Sequence, residues 1–145
     1  VNSTALTING QSQSVYFEVG ALLQYSVPTV VRIVKFGTTS TTVIGKLYYL
    51  SQTAWNVATN TSVSTSSGLL GVALGTSSSV GMLVRGNSNL ITSAFPIGDI
   101  IYLSTNGDIT NVAPTNSGSI VRIVGYSRGT SFLYFCPDNT WAQLV

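Results

Sequence analysis

The sequence predicts an all-β domain, a barrel or sandwich built from two related β-units with few or no helices. Three observations lead there. Short runs rich in Val, Ile, Leu, Tyr and Phe are separated by clusters of Gly, Ser, Thr and Asn, the rhythm of strands and turns. A motif is used twice: Gly45-Lys46-Leu47-Tyr48-Tyr49-Leu50-Ser51 returns as Gly98-Asp99-Ile100-Ile101-Tyr102-Leu103-Ser104. Each copy then reaches Asn-Val-Ala (56–58 and 111–113) and passes a Ser-Gly pair (67–68 and 117–118) into an apolar run. Finally, no stretch is a convincing long helix, and residues 21–24 alone read equally well as a short helical turn.

In chain order, strands are expected over residues 5–8, 15–19, 29–36, 47–50, 55–59, 69–74, 81–85, 100–103, 109–111, 120–126 and 132–136. The first three lie in a region, 1–44, that reads as an N-terminal strand or arm, and the rest form a duplicated domain over 45–145 with units 45–97 and 98–145. Within that domain 47–50 and 100–103 are the two copies of the Tyr-Leu-Ser strand, and 69–74 and 120–126 are the two apolar runs after Ser-Gly. Between 100–103 and 109–111, Asn106-Gly107-Asp108 supplies the residues that tolerate the positive φ angles of a tight hairpin. Residues 37–42, 59–68 and 76–79 are polar and read as loops, 59–68 as an exposed excursion. Pro96, Pro114 and Pro137 stand at the edges of apolar runs, where a missing amide donor is tolerated. Apolar residues often continue without alternation, as in Leu69-Leu70-Gly71-Val72-Ala73-Leu74, which predicts strands covered on both faces by a second sheet or another subunit.

Composition narrows the function. The 145 residues suit one domain, or two closely packed repeats, large enough for a real core. Charged residues are only 7% of the chain, against about a quarter in ordinary soluble domains. Hydroxyl and amide side chains must therefore wet the surface, and little repulsion keeps copies apart. At 44% hydrophobic the chain has enough apolar surface to fold. The net charge of +2 comes from single, scattered basic residues, unlike the clusters that track phosphates, so nucleic acid is not an expected partner. The apolar runs are too short to span a membrane, and no basic residue leads an apolar core as in a secretory leader. Cys136 is the only cysteine; it excludes an intrachain disulfide framework and reads as a small buried residue.

Catalytic chemistry is poorly represented. The chain has no histidine, the commonest general base and metal ligand. Cys136 sits in Leu133-Tyr134-Phe135-Cys136, apolar surroundings that raise a thiol pKa and weaken a nucleophile. Asp99 and Asp108 read as turn carboxylates in preference to a glycosidase pair or a calcium site. The expectation is therefore a non-enzyme with no catalytic residues, no cofactor and no metal.

Contact chemistry has more candidates. Trp55 and Tyr48 are candidate ligand contacts, since amphipathic rings can stack on a sugar, although core packing or a subunit contact explains them as well. Tyr16, Phe17, Leu22 and Leu23, apolar among polar neighbours, are candidate subunit-interface residues of an arm that either docks on a neighbour or closes the sheet. Arg32, Arg85 and Arg122 each interrupt an apolar run; each either points to solvent or bridges to Glu18, Asp99, Asp108, Asp138 or another chain.

The ordered series 68–75, 81–86, 98–104, 113–118, 121–126 and Phe135-Cys136-Pro137-Asp138-Asn139-Thr140-Trp141 resembles β-rich virion structural proteins of tailed bacteriophages. Such modules occur in head decoration and head fibre proteins, tail fibres and baseplate appendages. The resemblance covers residues 45–145 and departs at Cys136, where a polar residue such as Asn is expected. It implies a virion component assembled in the host bacterial cytoplasm and acting through subunit contacts. Its expected partners are its own copies, as a homo-oligomer and often a trimer, and other virion proteins such as capsid or tail subunits. The alternative role is a host-receptor module at a fibre tip, binding a surface glycan or protein.

Overall fold

The structure, a computed structural model, describes residues 31–145 with the exception of Leu90. The strands expected over 5–8 and 15–19, the turn at 21–24 and the candidate interface residues Tyr16, Phe17, Leu22 and Leu23 lie outside the described residues.

The fold is all-β. Eleven strands occur among the described residues: β1 Arg32–Val34, β2 Leu47–Ser51, β3 Ala54–Val57, β4 Leu70–Ala73, β5 Met82–Ser88, β6 Ile100–Leu103, β7 Ile109–Thr110, β8 Ile120–Val121, β9 Ile123–Ser127, β10 Leu133–Phe135 and β11 Ala142–Gln143. Nine of them form one antiparallel sheet that curls into a half-barrel, ordered β3-β2-β4-β5-β10-β9-β6-β7 with β1 also on β5; β8 and β11 pair separately. The order reads alike from both ends. A hairpin (β2–β3, β6–β7) is followed by a strand on its first member (β4, β9) and then by another on that one (β5, β10). The two halves meet where β10 pairs with the end of β5, Leu133 opposite Ser88 and Phe135 opposite Gly86. β1 also pairs β5, at Met82, Leu83 and Arg85, so residues 32–34 belong to the sheet, as the strand expected over 29–36.

Alternation along the strands sorts side chains to two faces. The concave face holds one core shared by both halves, including Leu47, Leu70, Val72, Leu83, Ile101, Leu103, Val124, Leu133 and Phe135. A second core lies on the other face of the first half only: Tyr48, Trp55, Ala73 and Met82, with Val34, Leu50 and Val84 against them. Unbroken apolar runs do mark two-sided burial there, and β4 is buried at every position. In the second half the same pattern fails: Ile100 of β6 and Tyr126 of β9 are 40% and 43% exposed.

The hairpin turn forms as its residues dictate. Asn106 and Gly107 have φ of 54° and 74°, and the Asp108 N–H donates to Thr105 O. That turn also reaches the far end of the sheet, where the Leu47 N–H donates to Gly107 O (2.9 Å) and the Gly107 N–H to Ala58 O (2.7 Å). A Cβ on Gly107 would lie 2.9 Å from Leu47 O, so the close approach requires glycine. Lys46 Nζ bonds Asp108 Oδ1 at 2.7 Å across the same junction, the only ion pair among the described residues.

Two expectations need correction. The apolar run 120–126 is not one strand: it breaks at Arg122, with β8 pairing β11 and β9 pairing β6. The loop 59–68 is only in part the exposed excursion expected, since Asn60 and Ser66 are buried. Its single 3-10 turn, Val63–Thr65, is braced by Thr65 Oγ1 donating to Thr59 O and Ser66 Oγ to Ser62 O, while the Asn60 N–H donates to Ser104 O and Asn60 O accepts from the Ile120 N–H.

Candidate functional site

The rings expected to contact a ligand are core residues. Trp55 is 2% exposed; its Nε1 donates to Phe36 O (2.9 Å), its ring stacks on Phe36 with centroids 6.0 Å apart, and it rests on Gly71. Tyr48 is also buried, and its hydroxyl accepts the Val43 N–H at 2.8 Å. With both polar groups engaged internally and the faces covered, neither ring offers a stacking surface. The glycan-platform reading of Trp55 and Tyr48 therefore falls.

The carboxylates are dispersed. Asp99 accepts from Asn111 Nδ2 (2.7 Å), Asp108 pairs with Lys46, and Asp138 accepts from both the N–H and the hydroxyl of Thr140. Among the described residues no three His, Cys, Asp or Glu side chains are grouped to hold a metal. Cys136 is half-buried where full burial was expected; burial raises its thiol pKa, with Arg85 opposing and Asp138 adding to that rise.

The arginines, scattered in sequence, do come together. Arg32 and Arg85 are direct partners across the β1–β5 ladder, like charges placed side by side. Arg122, at the β8–β9 break, lines the same concavity, a cavity of about 470 Å³. Half of the six basic residues thus converge on one depression, whose lining includes no carboxylate and no aromatic ring. Neither the Arg32 nor the Arg85 guanidinium has a hydrogen-bond or ion-pair partner among the described residues, and both residues are exposed.

Arg122 differs from both. It is 3% exposed, and it bridges by hydrogen bonds to carbonyls and not to a carboxylate: Nε to Asp138 O (2.9 Å), Nη1 to Ser66 O and to Gly68 O (2.8 Å). Burial lowers its pKa and the nearby Asp138 charge works the other way, yet a guanidinium stays protonated at neutral pH. The three bonds leave Nη2 without an acceptor among the described residues. Of the two expectations for this residue, solvent or a bridge to an acid or another chain, the structure has the bridge, to the main-chain carbonyl of Asp138, and with Ser66 and Gly68 it holds the 66–68 loop against the 138 loop. Interruption of an apolar run was the available signal, but its meaning depends on where two distant loops end.

No family model matches the chain, nor does any curated protein or solved structure.

Proposed function

We propose that this chain is a structural protein of a tailed-bacteriophage virion, non-enzymatic and without a cofactor, acting through subunit contacts as a head decoration or fibre-type, or tail-fibre-type, component. It works as a homo-oligomer, with a trimer as the expected form, among other virion proteins such as capsid or tail subunits. The observation that supports the contact role is the outer face of the second half, over which no described segment lies. Ile100, Tyr126 and Tyr134 lie side by side across β6, β9 and β10, with Ile100 and Tyr126 exposed, in a chain of which only 7% is charged. An apolar row of this kind gains by meeting another surface, and the weak charge opposes that little. The phage assignment itself rests on the sequence resemblance over residues 45–145.

Sedimentation of the purified full chain tests the contact role: an oligomer of fixed size across dilution is expected, and a monomer at every concentration overturns it. Immunogold imaging of phage particles whose genome encodes the chain tests the virion role, with labelled particles expected and bare ones decisive against it.

The second reading is contact with a host-surface glycan or protein. With Trp55 and Tyr48 in the core, the arginine-lined concavity is the feature that favours it.

A further inference from the structure

We infer that the concavity framed by β1, β5 and the β8–β9 break binds a carboxylate-bearing sugar unit, as in an acidic glycan. The inference deepens the receptor-contact reading and is independent of where the chain sits on a particle.

Charge is the first argument. Arg32 and Arg85 oppose each other on paired strands at a cost, since like charges directly across a ladder repel. No described acid lines the depression to relieve it. An anion seated between them removes that repulsion, and the planar guanidinium fork matches a carboxylate with two parallel N–H···O bonds.

The second argument comes from Arg122. A buried polar group left with free donors is costly, and Nη2 of Arg122, on the wall of this same depression, has no acceptor among the described residues. Its other nitrogens are fixed by Ser66, Gly68 and Asp138, so the guanidinium is held in place before any ligand arrives. A donor already ordered loses little conformational freedom on binding.

Size and lining choose among anions. About 470 Å³ falls in the range of small-ligand sites. Ser67 and Asn139 add hydroxyl and amide groups for a hydroxylated ligand, and Val84 and Pro137 give an aliphatic wall. Nucleic acid fits poorly, because no ring is present on which bases could stack.

The test is a backbone NMR titration of the full chain with galacturonate, with an oligogalacturonide, with glucose and with inorganic phosphate. Both uronates should shift resonances of β1, β5 and residues 67–70, with weaker binding as salt rises. Glucose should leave them unmoved. R32Q and R85Q, exposed positions where folding should persist by circular dichroism, should each weaken binding about fivefold or more, in line with the loss of a charge-assisted bond. Tighter binding of the oligomer assigns the unit to a polymer, and equal binding assigns it to the free acid. Absence of shifts at about 10 mM uronate, equal response to glucose, R32Q and R85Q that bind like the parent, or phosphate binding more tightly at the same residues would each overturn the inference.

Discussion

The two halves of the sheet follow one strand plan and treat their outer faces differently. In the first half the segment 31–42 lies over that face: β1 pairs β5, Phe36 stacks on Trp55, and Thr39 Oγ1 both accepts from the Trp55 N–H and donates to Trp55 O. Trp55 opposes Leu50 in its hairpin as Ile109 opposes Leu103 in the other. In the second half, Ile109 replaces the indole and packs inward, and no described segment lies over the exposed row through Ile100 and Tyr126. One strand plan followed twice can thus give a closed outer core in one half and an exposed outer face in the other, according to whether a covering segment lies there.

Removing the indole is the strongest way to break this comparison. Trp55→Ala should cost about 3–5 kcal/mol of stability, whereas Ile109→Ala, at a half-buried position, should cost roughly 1–2 kcal/mol. Denaturant midpoints check this, and equal losses would mean that the first half has no separate outer core. Next comes Arg122→Met, expected to cost about 2–3 kcal/mol because carbonyls of Ser66, Gly68 and Asp138 lose their donor. Arg85→Gln should stay within about 0.5 kcal/mol of the parent. Comparable losses at Arg122 and Arg85 would remove the distinction between a buried, carbonyl-bonded arginine and an exposed one.

The exposed row gives a smaller effect on folding and a clear one on assembly. Ile100→Ser with Tyr126→Ser should change stability by less than about 1 kcal/mol and shift sedimentation toward monomer. Val57→Ser, an exposed position in the first half, should leave the oligomer intact. An oligomer unaffected by the double change would show that the contact lies elsewhere. Smallest is the acid limb. Bonds from the N–H and hydroxyl of Thr140 hold the Asp138 carboxyl below its ordinary pKa. A depressed folded pKa gives stability that is complete above the unfolded value near 3.9 and vanishes as pH falls through the folded one. Asp138→Asn should therefore lower stability slightly at neutral pH, where the ionised carboxylate contributes, and flatten the fall below about pH 4, where parent and variant converge; an unaltered acid limb would argue against those bonds.

Strands were legible wherever β-branched and aromatic runs met turn residues, and 100–103 was placed to the residue. The short β11, Ala142–Gln143, was not, because its two exposed residues have no apolar pattern and it exists only as the partner of β8. The break at Arg122 was hidden for a related reason: the ladder changes partner there, and partners are set by distant residues. The repeat was visible, yet its copies are offset by one residue at Asn-Val-Ala. Tyr49 opposes Asn56 in the first half, while Tyr102 opposes Thr110 and not Asn111 in the second. The arginine concavity had no sequence signal, since Arg32 and Arg85 meet through pairing between strands far apart in the chain.

The junction at Gly107 sets an order of events during synthesis. The amide of Leu47 opens the first copy of the repeated strand, but its acceptor belongs to a turn made only after β6 has emerged from the ribosome. Until then the nascent first half carries an unfinished margin. The contact joins residues about sixty positions apart and couples the β2–β3 hairpin to the β6–β7 hairpin, the kind of long-range pairing that folds slowly.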